Sequence, residues 1–185
     1  VINALTDLEH PCQALADFLT IKEEFGELKG KVLSYIGDGN NVANSLIICG
    51  ALLEVEVRIA CPKGYEPNPA LINKARAIYD NKSLLKITND PLAAISGANV
   101  LYTDVWSSMG EENQKEQKDK EFNGYTIDNY LVSKASKDVI VLHCLPAYRD
   151  KEITDEVFES ENSRIFEQAE NRMHVQQALL SLLLS

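Results

Sequence analysis

The sequence predicts a doubly wound α/β fold in which a five-stranded parallel sheet carries helices on both faces. Five short apolar runs alternate along the chain with helix-forming segments, and this alternation is typical of parallel strands joined by helices. Right-handed crossovers then place helices on both faces of the sheet. The expected strand order is 3-2-1-4-5, as in Rossmann-like sheets, with the order reversing between strands 1 and 4.

The elements follow one another in a regular order. Pro11 suits the first turn of a helix, whose apolar stripe runs to Phe25 and stops at Gly26. A charged stretch over 111–121 is expected to be a loop or an exposed helix, and Glu170 is expected to open an apolar C-terminal helix. The predicted strands are 31–37, 55–61, 83–88, 99–105 and 138–146, and the other predicted helices are 41–53, 69–79, 91–96 and 127–136.

Composition excludes several classes of protein. The formal net charge of -10 argues against nucleic acid as a partner, and the lack of an 18-residue apolar run argues against a membrane-spanning segment. The four cysteines lie far apart, as expected of reduced thiols in a cytoplasmic protein. A chain that begins at Val1 and not at a methionine is expected to be a fragment or a processed product.

Polar side chains gather where strands 1, 4 and 5 end. Because doubly wound sheets bind ligands beyond the carboxyl ends of their strands, three remote segments are expected to converge on one crevice. The residues concerned are Asp38, Asn40 and Asn41 after strand 1, Asp104 and Trp106 after strand 4, and His143 and Cys144 at the end of strand 5.

The glycine-rich stretch GDGNN (37–41) is a poor dinucleotide fingerprint. Val42 stands where the third glycine would be, and Cys61-Pro62 replaces the acidic residue expected after strand 2. Two interpretations remain open from the residues alone. The turn is either purely structural, with asparagines bonding their own backbone, or it aims amide groups at a polar ligand.

Four further motifs each allow two interpretations. His10 and Gln13 lie three residues apart at a helix start, where they either cap the helix or face an anion or a carbonyl. Asp104 either binds an ammonium group or caps the next helix. The His143-Cys144 pair has no further ligands at zinc spacing, so a metal site is not expected. Arg172 either pins a phosphate or carboxylate, or is solvated.

Taken together and in order, the motifs are far more specific. The stretches HPCQ, GDGNN, DVWSSMG, HCLPA and ENRMH resemble the ornithine-binding domain of the ornithine carbamoyltransferases, and the resemblance extends from Val1 to Ser185. The SMG stretch separates the chain from the aspartate carbamoyltransferases. By this resemblance, GDGNN is expected to hold an amino acid and not a nucleotide.

The resemblance implies transfer of a carbamoyl group from carbamoyl phosphate to the δ-amine of ornithine in arginine biosynthesis, with no metal or organic cofactor. It assigns the ornithine α-carboxylate to Asn41 and the Met109 backbone, and the α-ammonium group to Asp104 and Ser108. Contacts with carbamoyl phosphate fall to His10, Gln13, Arg172, Cys144 and the Leu145 carbonyl, with Cys144 also placed near the attacking nitrogen. His10, Cys144 and Arg172 are therefore the expected catalytic residues.

Two features depart from a complete enzyme of this family. The Ser-x-Arg-Thr-Arg phosphate cradle has no counterpart in the sequence, and the last helix is apolar nearly all round, which suits burial against another body. A smaller departure is Tyr148, which stands where many relatives carry another side chain. We therefore expect residues 1–25 to link to an absent carbamoyl-phosphate domain, 26–169 to form the ornithine-binding domain and 170–185 to pack on the absent domain. The isolated chain is expected to be inactive, and the full-length enzyme to be a homotrimer.

Two alternatives stay open. A carbamoyltransferase for another amine or amino acid would share the fold, although Asp104 and the SMG stretch favour a free α-amino acid. A non-catalytic Rossmann-like module that binds an amino acid or a dinucleotide is the second alternative.

Overall fold

In the computed structural model, which describes residues 1–107 and 115–185, five strands form a parallel sheet in the order β3-β2-β1-β4-β5. The predicted fold class and strand order are thus confirmed. Because the order reverses between β1 and β4, their carboxyl ends flank the crevice where such sheets bind ligands. The strands are β1 (Val32–Ile36), β2 (Glu56–Ala60), β3 (Leu85–Thr88), β4 (Val100–Thr103) and β5 (Ile140–His143).

Helices follow most of the strands, and among the described residues none is long and apolar enough to cross a membrane. A short 3-10 helix, Lys82–Leu84, also precedes β3. The α-helices are α1 (Pro11–Phe25), α2 (Asn41–Leu52), α3 (Pro69–Ile78), α4 (Pro91–Ile95), α5 (Lys115–Glu121), α6 (Asn129–Val132), α7 (Asp155–Phe158) and α8 (Ile165–Leu184).

Apolar side chains cover both faces of the sheet. Leu33 and Tyr35 of β1 pack in a cluster with residues from α1, α2 and α3. Ile36 points to the opposite face, where residues from α4, α6, α7 and α8 form a second cluster. This division follows from the two-residue period of strands, which sends successive side chains to opposite faces. Burial on both faces explains why the strands appear in the sequence as continuous apolar runs.

The helices that follow β1, β2 and β3 begin with the same local signal. The side chains of Asn40, Asn68 and Asp90 accept hydrogen bonds from backbone N–H groups in the first turns of α2, α3 and α4. Pro69 and Pro91 follow at positions where a helix has no partner for an N–H group. These caps fix where each helix starts relative to the strand before it.

The C-terminal helix begins at Ile165, five residues earlier than the Glu170 predicted. Its first turns were missed because Gln168 and Asn171 are buried although they are polar, so no apolar period marks that face. The predicted helix over 127–136 is also shorter, because the N–H of Ser136 leaves the helical pattern to bond the carbonyl of Ala98. The short helix α7 was not predicted at all.

The charged stretch over 111–121 contains the helix α5, which is mostly exposed as predicted, with Lys118 as the exception. Residues 111–114 lie outside the described part of the chain, but α5 turns Lys118 inward, where it is only 2% exposed. Its Nζ lies 2.7 Å from Asp38 Oδ2 and 5.6 Å from the centre of the Tyr65 ring. The carboxylate and the aromatic face compensate the buried ammonium group, and together they tie α5 to the turn after β1.

Candidate functional site

A cavity of about 420 Å³ opens at the carboxyl ends of β1, β4 and β5, as the sequence predicts. It receives side chains from the turn after each of these strands and from the segment that precedes α1. Five of the predicted site residues line it, namely His10, Asn41, Asp104, Cys144 and Leu145. Gln13 and Arg172 are not among its lining residues, and Ser108 and Met109 lie outside the described residues.

Three backbone N–H groups of the GDGNN turn already have hydrogen-bond partners within the protein. The N–H groups of Gly37, Gly39 and Asn40 donate to carbonyl oxygens of the protein, and those of Val42 and Ala43 donate to the Asn40 side chain. A dinucleotide site at such a turn presents these groups to a pyrophosphate. The turn is therefore not built as a dinucleotide cradle.

Gly39 is required for packing. A Cβ atom there would lie 2.3 Å from the backbone nitrogen of Pro67 and 2.5 Å from the carbonyl oxygen of Tyr65. The same oxygen accepts a hydrogen bond of 2.8 Å from the Gly39 N–H. The second glycine of the motif thus lets residues 65–67 press against the turn, as glycine does where two backbones approach closely.

The two asparagines of the turn have different tasks. Asn40 caps α2 with its Oδ1, and its Nδ2 donates a hydrogen bond of 2.7 Å to Asp104 Oδ2. Asn41 lines the cavity, and its Nδ2 donates to the Thr6 carbonyl at 2.8 Å. Sequence reasoning left a structural turn and a ligand-facing turn as alternatives, and the geometry assigns the structural task to Asn40 and leaves Asn41 at the cavity wall.

Asp104 carries the negative charge nearest the end of β4. Its side chain is buried, Oδ2 accepts from Asn40, and Oδ1 accepts from the Val105 N–H at 2.8 Å. Beside it, Trp106 Nε1 and Ser107 Oγ are buried polar atoms with no partner among the described residues. A buried carboxylate held by two donors has a fixed position, which suits it to bind a cationic group.

His143 is held in place by both ring nitrogens. Nδ1 accepts a hydrogen bond of 2.9 Å from the Leu145 N–H, so the proton of the neutral ring lies on Nε2, which is 3.1 Å from Glu152 Oε1. Glu152 also accepts from the Tyr148 N–H at 2.6 Å. Glu152 is buried and anchors the loop after β5, a task that no spacing in the sequence indicates.

Asp104, His143 and Cys144 have potential ligand atoms within 4.8 Å of one another, the one such cluster found in the described parts of the chain. Their arrangement does not suit a metal ion. A histidine ligand must offer a nitrogen lone pair, and both nitrogens of His143 are already engaged.

Cys144 and Leu145 line the cavity directly after the end of β5. Burial, together with the nearby Asp104, raises the pKa of the Cys144 thiol well above its usual range, so the group is a neutral thiol at neutral pH. Leu145 adopts a φ of 57°, a left-handed conformation that is unfavourable for a side chain of this size. Its N–H bond to His143 helps to hold this conformation.

His10 joins the cavity to α1. Its backbone N–H donates to Ser45 Oγ at 2.6 Å, and its Nδ1 lies 2.9 Å from the carbonyl oxygen of Ala4. Burial and the charge of Arg172 lower the pKa of His10, which favours the neutral ring. Because a carbonyl can only accept, Nδ1 carries the proton and Nε2 is left as an acceptor.

Gln13 and Arg172 contact each other outside the lining of the cavity. Arg172 Nη1 donates a hydrogen bond of 2.6 Å to Gln13 Oε1, although the two residues lie 159 positions apart. Gln13 in turn donates to Asp17, which also accepts from Gln168. The sequence predicted both members of the pair, but Asp17 and Gln168 were missed because polar residues inside a helix give no signal of burial.

Comparison with known proteins identifies the family of the chain. The family model described as aspartate/ornithine carbamoyltransferase, Asp/Orn binding domain, matches residues 29–183. The chain belongs to this family. The predicted resemblance is therefore confirmed at the level of the family and of the domain.

Individual members of the family match over the whole chain. An ornithine carbamoyltransferase from Prochlorococcus marinus subsp. pastoris is 80% identical over 184 residues, which is 100% of this chain and 60% of the relative. The chain thus spans about 60% of the length of the curated relatives it matches.

Two solved structures of the family illustrate the similarity of fold. The ornithine carbamoyltransferase of Gloeobacter violaceus is 47% identical with a TM-score of 0.89, and the match covers 100% of this chain and 62% of that one. The enzyme of Pyrococcus furiosus is 46% identical with a TM-score of 0.92, covering 97% and 57%.

Proposed function

We propose that the chain is the ornithine-binding part of an enzyme that transfers the carbamoyl group of carbamoyl phosphate to the δ-amine of ornithine, giving citrulline and phosphate. The observation that carries the proposal is the cavity in which His10, Asn41, Asp104, Cys144 and Leu145 meet. Neither a metal nor an organic cofactor is needed for this chemistry, and most of the acceleration comes from holding two substrates in the reactive geometry.

Asp104 is proposed to bind the α-ammonium group of ornithine. Its carboxylate is buried and fixed by Asn40 and by the Val105 N–H, so a cation gains a preorganised partner. Asn41 is proposed to bind the α-carboxylate, for which its amide must exchange the Thr6 carbonyl for the ligand. The further contacts assigned to Ser108 and to the Met109 backbone lie outside the described residues and remain part of the proposal.

His10, Gln13, Arg172 and the Leu145 carbonyl are proposed to bind carbamoyl phosphate. The carbamoyl group combines an NH₂ donor with a carbonyl acceptor, so it needs partners of both kinds. The Leu145 carbonyl and Gln13 Oε1 are acceptors, and the Arg172 guanidinium is a donor that carries positive charge. The cation also stabilises negative charge that develops on the carbamoyl oxygen during attack by the amine.

Cys144 is proposed to lie near the attacking nitrogen and to help remove its proton. Before ornithine binds, the thiol keeps its proton, because burial and Asp104 raise its pKa. An ammonium group bound to Asp104 would cancel the second of these causes and lower the pKa again. Binding of ornithine would thereby favour loss of the thiol proton to solvent, and the resulting thiolate could then accept a proton from the δ-amine.

We further propose that the remaining part of the full-length protein supplies the carbamoyl-phosphate domain. In this scheme 1–25 links the two parts, 26–169 binds ornithine and 170–185 packs on the other domain. The exposed side chains of Leu180, Leu182, Leu183 and Leu184 near the end of α8 support such a contact. A homotrimer, a cytoplasmic location and a role in arginine biosynthesis complete the proposal and rest on the family resemblance alone.

A chimera tests the proposal directly. The remaining part of the 80%-identical Prochlorococcus relative is joined to this chain to give a full-length protein, called here the full-length chimera. We expect citrulline formation from ornithine and carbamoyl phosphate by the chimera and none above background by the 185-residue chain. Putrescine and N-acetylornithine serve as competing acceptors, because each lacks a group that Asp104 or Asn41 is proposed to bind.

Turnover of putrescine or N-acetylornithine in preference to ornithine would replace the proposed substrate with another amine. Robust citrulline formation by the 185-residue chain alone would contradict the division into two parts. Calorimetry that detected binding of NAD but not of ornithine to the chimera would contradict the enzymatic proposal altogether.

A further inference from the structure

A polar network runs through the interface of α1, α8 and the ends of β4 and β5, and its centre is a carboxylate that the proposed mechanism does not use. Asp17 is fully buried. Its Oδ1 accepts hydrogen bonds from Gln13 Nε2 at 2.8 Å and from Gln168 Nε2 at 2.6 Å, whereas Oδ2 has no partner among the described residues.

The outer ends of the two amides are fixed by groups that can only donate. Gln168 Oε1 accepts the backbone N–H of His143 at 2.9 Å, and Gln13 Oε1 accepts from Arg172 Nη1 at 2.6 Å. Each amide must therefore turn its NH₂ group toward the centre of the network. Such an arrangement needs a central oxygen that accepts from both amides, and Asp17 Oδ1 meets that requirement.

We propose that Asp17 is a positioning residue that holds the Gln13 side chain with its amide oxygen toward Arg172 and the carbamoyl group. The inference rests on the proposed function, and it adds a residue to which neither a motif nor the cavity lining points. Gln13 Oε1 has a second lone pair beyond the one given to Arg172, so it can also accept from the carbamoyl NH₂ group. If the Gln13 amide were reversed, its NH₂ group would face the Arg172 cation and the carbamoyl NH₂ group, and neither of these accepts a hydrogen bond.

The energetic cost of burying the Asp17 carboxyl group supports a specific role for this residue. Burial raises the pKa of its carboxyl group to about 7, although hydrogen bonds from Gln13, Gln168 and Tyr102 of β4 and the charge of Arg172 act in the opposite direction. An apolar residue at this place would avoid this cost, since buried charges are retained at an energetic disadvantage. The disadvantage is understandable if the network has to define the orientation of Gln13 and Arg172.

Asp17→Asn in the full-length chimera is the primary test. Asparagine has the same shape, but it can also turn its NH₂ group toward Gln13, so the orientation of the Gln13 amide is no longer fixed by a partner that only accepts. We expect the KM for carbamoyl phosphate to rise by about tenfold or more, as for the loss of one buried hydrogen bond to a charged group. The KM for ornithine is expected to stay within about twofold, because the change lies outside the Asp104 contact.

Thr20→Val is the matched control. Thr20 is also a buried α1 residue that bonds α8, since its Oγ1 accepts from Asn171 Nδ2 at 3.0 Å, but its contact lies one helical turn away from Asp17. A change of KM for carbamoyl phosphate in Thr20→Val as large as that in Asp17→Asn would show that any damage to this interface has the same effect. The positioning role of Asp17 would then be rejected.

A second pair of variants separates positioning from structural support. Gln13→Glu places a carboxylate against that of Asp17, so the single variant should bind carbamoyl phosphate poorly. Adding Asp17→Asn lets an amide donate to the introduced carboxylate, whose other oxygen then faces Arg172. Asp17→Asn is thus expected to be harmful in the wild-type background and beneficial, by about tenfold in KM, in the Gln13→Glu background. This comparison remains informative if Asp17→Asn alone does not fold.

The outcomes distinguish this inference from the proposed function. A wild-type chimera that makes no citrulline contradicts the proposed function before any variant is made. With an active chimera, an unchanged KM in Asp17→Asn, or a harmful effect of Asp17→Asn in both backgrounds, overturns the positioning role. A crystal structure of the Asp17→Asn variant gives a readout independent of activity, since Arg172 Nη1 and the Gln13 side chain should separate beyond about 3.5 Å.

Discussion

Asp104→Asn removes one negative charge from the cavity without changing the shape of the side chain. The carboxylate already accepts from Asn40 Nδ2 and from the Val105 N–H. An amide offers one oxygen and one NH₂ group, so whichever way it turns, a donor faces a donor. Asn40 cannot turn in response without losing its cap on α2. The substitution should therefore lower the free energy of unfolding by about 1–3 kcal/mol.

A separate effect on catalysis is expected. The charge-assisted hydrogen bond between Asp104 and the ornithine ammonium group is worth about 1.5–3 kcal/mol, which corresponds to about a 10- to 150-fold lower kcat/KM for ornithine. The KM for carbamoyl phosphate should change by less than about twofold, because no contact with that substrate is assigned to Asp104. Steady-state citrulline formation by the full-length chimera, measured well below its Tm, gives both constants.

Asp7→Asn is the control for a simple change of charge. Asp7 also lines the cavity but is exposed, so its removal alters the potential of the cavity without removing a fixed partner. Long-range attraction is screened by salt, and kcat/KM for ornithine should barely change. An equal loss in Asp7→Asn, or a loss in Asp104→Asn confined to carbamoyl phosphate, would refute the assignment of Asp104.

Three further predictions concern single groups. Lys118→Met removes the cation beside Asp38 and should lower the free energy of unfolding by about 3–5 kcal/mol. The control Lys86→Met, at an exposed pair, should lower it by less than about 1 kcal/mol. Urea denaturation of the chain measures both values. Because burial raises the pKa of Cys144, iodoacetamide should alkylate it far more slowly at neutral pH than it alkylates glutathione, as followed by mass spectrometry; comparable rates would mean that the thiolate is present. Asp17 has a pKa of about 7 in the folded chain against 3.8 ordinarily, so its stabilising contribution is present below pH 3.8 and lost as the pH rises through about 7. Asp17→Asn should flatten this part of the plot of unfolding free energy against pH. An unchanged plot would contradict the shift in pKa.

The sheet and the position of the site were predictable because they depend on local patterns. Buried parallel strands appear as apolar runs, and the order of strands and helices then determines which strand ends meet. Asp104 and Cys144 could be placed at the cavity because each directly follows a strand. The prediction needed no knowledge of which side chains touch.

The supporting residues could not be predicted because their partners lie far away in the sequence. Lys118 bonds Asp38 across 80 positions, and Gln168 bonds Asp17 across 151 positions. A lysine in a charged stretch and a glutamine in a helix are ordinary surface residues by type. Their burial becomes evident only when the partner that compensates for lost hydration is known.

The interface of α1 with α8 shows why polar contacts are useful at this place. Apolar contacts between two helices are non-directional, so they would tolerate a small slide that moves Arg172 away from Gln13. Hydrogen bonds are directional, and the pairs Gln168–Asp17, Arg172–Gln13 and Asn171–Thr20 are satisfied together in one register of the helices. A slide by one turn would break all three pairs and leave buried polar groups unpartnered, which costs far more than a lost apolar contact. The network therefore fixes the distance between the arginine and the β5 end, where the Cys144 thiol and the Leu145 carbonyl lie.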